Sequence, residues 1–365
     1  MGLGGVSVAS DYPEVSKDEL EKILNSLKKR FQNGDYPNYK ERIDRINRLK
    51  LLVEENSEDF HKALQNDFGT RHEQLSLLSD TLPIIASAKH ISKNLSKWMK
   101  PEKRKPNFPL GLLGAKAFIH NQPYGVVGII SPWNFPLNLS LGPLVEVFAA
   151  GNNAMMKLSE FVPETSDLTE KLVKQYFNDN EVAVINGGPQ TSQSFAGLAF
   201  DHLLFTGSTH IAKKIAYEAS ENLVPLTLEL GGKSPVIVGP KAKMKKSVDK
   251  IMMGKLLNAG QICISPDYVF LPEGKENEFV EHAKSYVQES YETLKNNPDY
   301  TSIIHLNHYE RLRSYISDAK SKGAEIVEIN PANEDLTQQE HHKIPPTLIL
   351  NPTDDMEVMK NEIFG

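Results

Sequence analysis

One cysteine in 365 residues cannot close an intramolecular disulfide, so the chain has no need of an oxidising compartment, and a cytoplasmic location is the expectation. A second cysteine at C-x-x-C spacing is lacking, which excludes a thioredoxin-like redox role. Basic residues are outnumbered, 41 against 47 acidic, and the net charge of −6 argues against a nucleic-acid partner. No run approaches the roughly 18 apolar residues of a membrane helix. The opening "MGLGGVSVAS" has no basic segment ahead of an apolar one and so does not read as a signal peptide; it reads as a flexible tail. Val6 stands where myristoylation needs Ser or Thr. His341-His342 and the pair His305 and His308 have no cysteine to complete a zinc site, and no metal is expected. The strict G-x-G-x-x-G dinucleotide fingerprint, internal repeats and low-complexity tracts are all missing.

What is present is ordinary globular composition, 39% hydrophobic and 24% charged, in a length suited to two or three domains. The first third is helical in period. "SKDELEKILNSLKKRF" carries a capping-box signature in Ser16 and Glu19, and the alternating charges of "YKERIDRINRLKLLVEENSEDFHKALQNDFG" are most simply a solvated helix face. Prolines and glycines in "PEKRKPNFPLGLLG" break the helices, and "AKAFIHNQPYG" reads as extended. From Tyr124 onward short apolar strands ("GVVGII", "NAMMKL", "VAVIN", "HLLF") alternate with helical segments, the signature of a parallel sheet covered on both faces. "PLTLEL" and "SPVIV" are read as opening a second α/β region.

Several motifs carry chemistry. "SPWNFP" directly follows the strand "GVVGII"; its prolines would hold Trp133 and Asn134 rigidly, and a fixed side-chain amide can stabilise an oxyanion. In "FTGST", Thr206, Gly207 and Ser208 form a strand-to-helix turn whose free N–H groups suit a pyrophosphate, although any such turn favours these residues. Lys157 and Glu160 in "MKLSE" could meet ribose hydroxyls or face solvent. Glu229 in "LELGGKSP" ends an apolar strand, where a carboxylate is paired, exposed, or raised in pKa and fit to act as a general base. Cys263 in "NAGQICISPDYVF" is either a nucleophile or a small core residue.

In order and approximate spacing, "SPWNFP", "KLSE", "FTGST", "LELGGKSP", "GQICISPDY" and "NEIFG" resemble the aldehyde dehydrogenase superfamily, from about residue 20 to the last residue. "IIHLNHYERL" and the two motifs before "NEIFG" resemble its class-three and coniferyl-aldehyde branch. The resemblance implies an α/β fold with a Rossmann-like NAD(P)-binding domain (1–97 and 125–225), a bridging or oligomerisation segment (98–124) and an α/β catalytic domain (226–365). It implies oxidation of an aromatic or medium-chain aldehyde with NAD or NADP. Cys263 would be the nucleophile, passing through a thiohemiacetal and a thioester. Asn134 would hold the oxyanion, and Glu229 would activate the hydrolytic water. Trp133, Lys157, Glu160, Thr206, Gly207 and Ser208 would contact the coenzyme, and Glu362 and Phe364 its nicotinamide-ribose end. The branch is usually dimeric. Leu158 replaces the proline of the family's "KPSE" motif, which is expected to loosen the backbone beside Lys157. The family's last motif continues with proline, so the chain is read as C-terminally incomplete, with an inactive nucleotide-binding fragment as the alternative. A coenzyme-A-acylating relative is the other alternative, but those relatives generally lack the glutamate at position 229.

Overall fold

Val126–Ile130 and Asn153–Lys157 are buried at every position, which only a sheet covered on both faces allows. The computed structural model describes residues 12–365; the tail and sorting-signal readings of the opening lie outside the described residues. In chain order the strands are β1 (Glu102–Arg104), β2 (Ala117–Ile119), β3 (Val126–Ile130), β4 (Asn153–Lys157), β5 (Val182–Ile185), β6 (His202–Gly207), β7 (Leu226–Leu230), β8 (Ser234–Ile237), β9 (Pro266–Phe270), β10 (Glu325–Glu328) and β11 (Thr347–Leu350).

Five of them form one sheet in the order β5-β4-β3-β6-β7. Central β3 pairs in parallel with β4 on one side and β6 on the other, and β4 pairs in parallel with β5. The chain leaves β3 through the helix Asn138–Ala149 to reach β4, passes through Pro163–Tyr176 to β5, and then crosses to β6 on the opposite side. The winding direction therefore reverses beside β3, and the loops after β3 and β6 flank the switch point where such sheets bind ligands. The expectation for "PLTLEL" is corrected here. It does not open a second region: β7 completes this sheet beside β6, and the His202 ring meets the Thr227 hydroxyl at 2.9 Å.

By their contacts the described residues up to Glu58, with Leu78–Glu229, make one compact unit, and Asp59–Leu77 with Leu230–Gly365 make a second. Thr70 stitches the short piece into the second unit. Its hydroxyl donates to the Tyr300 carbonyl at 3.0 Å, and its carbonyl accepts from the Ser302 N–H at 3.1 Å. That unit pairs β8 with β9 in parallel and β10 with β11 antiparallel, and packs the helices Met244–Leu256 and Glu276–Ser290 around Val248, Ala283, Val287 and Leu294.

The charged helices differ from their reading as a solvated face. Arg42 and Arg45 on Tyr39–Glu55 are buried, and Arg45 is bound to Glu181 at 3.0 Å. Ser16 caps its helix, accepting from the Glu19 N–H, while the reciprocal capping box belongs to Asn38 and Glu41. Inside the segment read as a helix-breaker, Glu102–Arg104 forms a short strand paired with β2.

Candidate active site

Three loops leave neighbouring strands of the parallel sheet. After β3, Ser131 continues the ladder by donating its N–H to the Lys157 carbonyl at 3.1 Å. The turn then half-buries Trp133 and buries Asn134 at 3% exposure. The following helix start is held by Asp80, fully buried, whose Oδ1 accepts from the N–H groups of Leu137 (3.2 Å) and Asn138 (3.4 Å). A carboxylate at a helix N-terminus satisfies orphan donors and complements the dipole. Asp80 lies 57 residues from Leu137, so no local pattern announces it.

After β4, Lys157 does not face solvent: it is 1% exposed, and its Nζ donates to the Leu158 carbonyl at 2.6 Å and to Glu160 Oε2 at 3.4 Å. Burial pulls the Lys157 ammonium down, and the Glu160 carboxylate opposes that shift. The expected loosening at Leu158 is not found. Leu158 is buried, and its N–H donates to the Ile185 carbonyl at 3.3 Å, a rung between β4 and β5 that proline cannot make. After β6, Ser208 caps the helix Thr209–Ser220, its Oγ accepting from the Ile211 N–H at 3.4 Å, and the helix start is exposed. Thr206 and Gly207 are half-buried just before it. Glu229, near the end of β7, is exposed. The structure thus gathers Trp133, Asn134, Lys157, Glu160, Thr206, Gly207 and Ser208 on the strand ends and loops of one sheet, with Glu229 on its β7 edge.

In the second unit Cys263 is half-buried, on a loop set by an unusual backbone. Asn258, Ala259 and Gly260, which follow the helix Met244–Leu256, all have positive φ (49°, 50° and 75°). Left-handed non-glycine residues are costly and persist only where surroundings enforce them. Gln261, with no exposed surface, does so: its Nε2 donates to the carbonyls of Asn258 and Ser302 at 3.0 Å each, and its Oε1 accepts from the Ile304 N–H at 3.0 Å. Lys255 lies against the same loop, for a Cβ on Gly260 would sit 3.2 Å from Lys255 Cε. Burial lowers its pKa to about 8, with Asp267 and Glu362 opposing and Lys233 adding to the fall. Glu362 is half-buried, its Oε1 accepting from the Gly232 N–H at 3.2 Å, and burial raises its pKa. Phe364 has φ 50°, and its carbonyl accepts from Arg311 Nη2 at 3.3 Å. Lys255 carries no local sequence signal, and Arg311 enters only as part of the "IIHLNHYERL" stretch.

The histidines sit in structural roles. His305 caps the helix Leu306–Ser321, its Nδ1 accepting from the His308 N–H at 3.3 Å, and His308 Nδ1 accepts from Arg311 Nε at 3.2 Å. Among the described residues no group of three or more His, Cys, Asp or Glu is arranged to hold a metal. Burial, aided by neighbouring His342 and Arg311, depresses His305 to about 4; burial with Arg311 and His305 depresses His308 to about 3. Between those values and the ordinary 6.5 the unfolded chain binds more protons than the folded one. Stability is therefore expected to fall as pH drops from 6.5 toward 4, and His308→Gln should flatten that slope. Urea unfolding at several pH values checks this, and an unchanged slope would refute it.

The donor set on these loops fits a dinucleotide. A carboxylate at Glu160 beside a buried ammonium suits a ribose diol, and the exposed helix start at Ser208 suits a phosphate. With such groups at a switch point, the chain falls among the dinucleotide-dependent oxidoreductases of the α/β class. Sequence comparison narrows this: the chain belongs to the aldehyde dehydrogenase family, whose family model matches residues 6–365. It is 50% identical over 361 residues to a "Probable coniferyl aldehyde dehydrogenase" of Caulobacter vibrioides, covering 99% of this chain and 74% of that one. To the coniferyl aldehyde dehydrogenase of Pseudomonas sp. strain HR199 it is 44% identical over 365 residues, again 74% of the relative's length. The substrate-bound structure of Staphylococcus aureus AldH superposes with a TM-score of 0.87 at 33% identity, over 95% of this chain and 73% of that one. The protein is an NAD(P)-dependent oxidoreductase acting on aldehydes. No helix among the described residues is long and apolar enough to cross a membrane.

Proposed function

We propose that the aldehyde is aromatic or medium-chain, of the coniferyl type, and that Cys263, Asn134 and Glu229 carry its oxidation to the acid. The substrate reading rests on one observation, the 44–50% identity to relatives named for coniferyl aldehyde. Cys263 Sγ, as thiolate, attacks the carbonyl carbon; a C–S bond forms and the carbonyl electron pair moves to oxygen. The Asn134 amide and the Cys263 backbone N–H donate to that oxyanion. A bound NAD(P) would supply the acceptor for the hydride that the aldehyde carbon must lose. The acyl group left on Cys263 is a thioester. Glu229 removes a proton from water, which adds to the acyl carbon; the C–S bond breaks, the acid leaves and the thiolate returns.

The unit built on the parallel sheet, through 125–225, holds the adenosine and pyrophosphate by Lys157, Glu160, Gly207 and Ser208, with Thr206 and Trp133 beside them. The Glu160 carboxylate repels a 2′-phosphate, so NAD is preferred. The part from 226 onward supplies Cys263, and Glu362 and Phe364 meet the nicotinamide ribose. Segment 98–124 exposes Phe108, Leu112 and Leu113 almost fully, an apolar surface that a second copy covers in a homodimer. The cytoplasm is the compartment that suits a lone thiol.

The test is reduction of NAD and NADP with coniferyl aldehyde, benzaldehyde, hexanal and acetaldehyde, with the acid product quantified. Faster turnover with NAD and with the two aromatic aldehydes is expected; a preference for short aliphatic aldehydes would overturn the substrate reading. Asn134→Ala should lower kcat about 10²- to 10³-fold with the protein still folded. Unchanged turnover would remove Asn134 from the mechanism.

A further inference from the structure

Lys233 precedes β8, and Asp267 lies on its partner β9. An ammonium has three protons, and three acceptors take those of Lys233. They are Asp267 Oδ1, the Val358 carbonyl at 2.8 Å and the Asn361 carbonyl at 3.2 Å. The other Asp267 oxygen accepts from the Ile363 N–H at 3.0 Å. This one ion pair therefore holds the backbone on both sides of Glu362. Arg311 adds a hydrogen bond to the Ile363 carbonyl at 2.7 Å. Between these ties the Glu362 carboxylate sits on the Gly231-Gly232 backbone, where a Cβ on Gly231 would come within 2.1 Å of Oε2.

Exposed ion pairs contribute little, but Asp267 is only 4% exposed, and each of its oxygens is engaged. A planar guanidinium cannot send its donors to three acceptors arranged around a point. We propose that Lys233, bound to Asp267, is a positioning residue for the coenzyme: it fixes the Asn361–Ile363 backbone so that Glu362 is held toward the nicotinamide ribose. This rests on the reading of Glu362 as the ribose contact.

Calorimetric titration with NAD and, separately, with AMP, which lacks the nicotinamide ribose, tests it without relying on turnover. Lys233→Arg is expected to weaken NAD about tenfold and leave AMP within about twofold, whereas general structural damage would weaken both. In a Glu362→Gln background Lys233→Arg should add nothing further, because its effect passes through that carboxylate. Equal loss of NAD and AMP, unchanged NAD affinity, or a full tenfold loss persisting in the Glu362→Gln background would each overturn the proposal while leaving the ribose contact standing. If Glu362→Gln alone left NAD affinity unchanged, the ribose assignment would fall and the proposal with it. Should Lys233→Arg not fold, Asp267→Asn, which keeps size and loses charge, is expected to give the same NAD-against-AMP pattern, and its absence there overturns the proposal.

Discussion

Cys263→Ala is expected to lower aldehyde-dependent reduction of NAD by about 10⁴-fold or more, while NAD still binds. The size follows from covalent catalysis: without a thiolate no C–S bond forms, and binding with oxyanion stabilisation supplies only the residual rate. The chain has no other cysteine to substitute for it. Two measurements on one preparation decide the matter, the initial rate of nucleotide reduction and the NAD dissociation constant. Turnover within tenfold of the parent would remove Cys263 from the chemistry. Loss of both rate and binding would point instead to collapse of the loop that Gln261 supports.

The largest expected effect on stability belongs to the unit built on the parallel sheet. Glu181→Gln should cost about 3–5 kcal/mol, because it strands a buried guanidinium. Arg45 is 2% exposed, and its Nε donates to Glu181 Oε1 at 3.0 Å. Arg48 reaches both carboxylate oxygens, at 2.8 and 2.9 Å, and the Asn178 N–H donates to one at 3.0 Å. Burial by itself would raise the Glu181 pKa, yet the hydrogen bonds from Arg48 and Asn178 and the charges of Arg45 and Arg48 bring it down to about 2. The folded pKa is depressed, so this contribution is present above about 4.5 and is lost as pH falls toward 2, a window that overlaps that of the histidines only between about 4.5 and 3. Urea titration at pH 7 reads the cost directly. A loss under about 1 kcal/mol would mean that Arg45 is solvated in the variant.

What the sequence disclosed and what it hid divide along one physical line. Strands β3 and β4 were legible because a buried parallel strand writes itself as an apolar run. Trp133, Asn134, Lys157 and the Thr206–Ser208 turn were legible because they follow such runs directly. Arg45 was not, since a buried arginine and a solvated one look alike until the partner, 136 residues away, is known. Asp80 beneath the Asn134 turn and the Lys233–Asp267 pair were hidden for the same reason. The membership of β7 in the first sheet was also closed to local reading, because strand neighbours are chosen by topology. Leu158 shows the converse error: judged against a family proline it looked like a loss, whereas its N–H forms a rung the proline would have forfeited.

The three left-handed residues before Cys263 have a consequence for how such a sequence can vary. They form a counter-wound coupling between the end of a right-handed helix and the loop bearing the thiol. Each residue added to or removed from the helix Met244–Leu256 would turn that coupling by about 100° and carry the sulfur to another side of the helix axis. The spacing from helix to thiol is therefore a fixed gauge, while the identities of the exposed residues along it are open to drift. In this region the invariant of the molecule is a length rather than a composition.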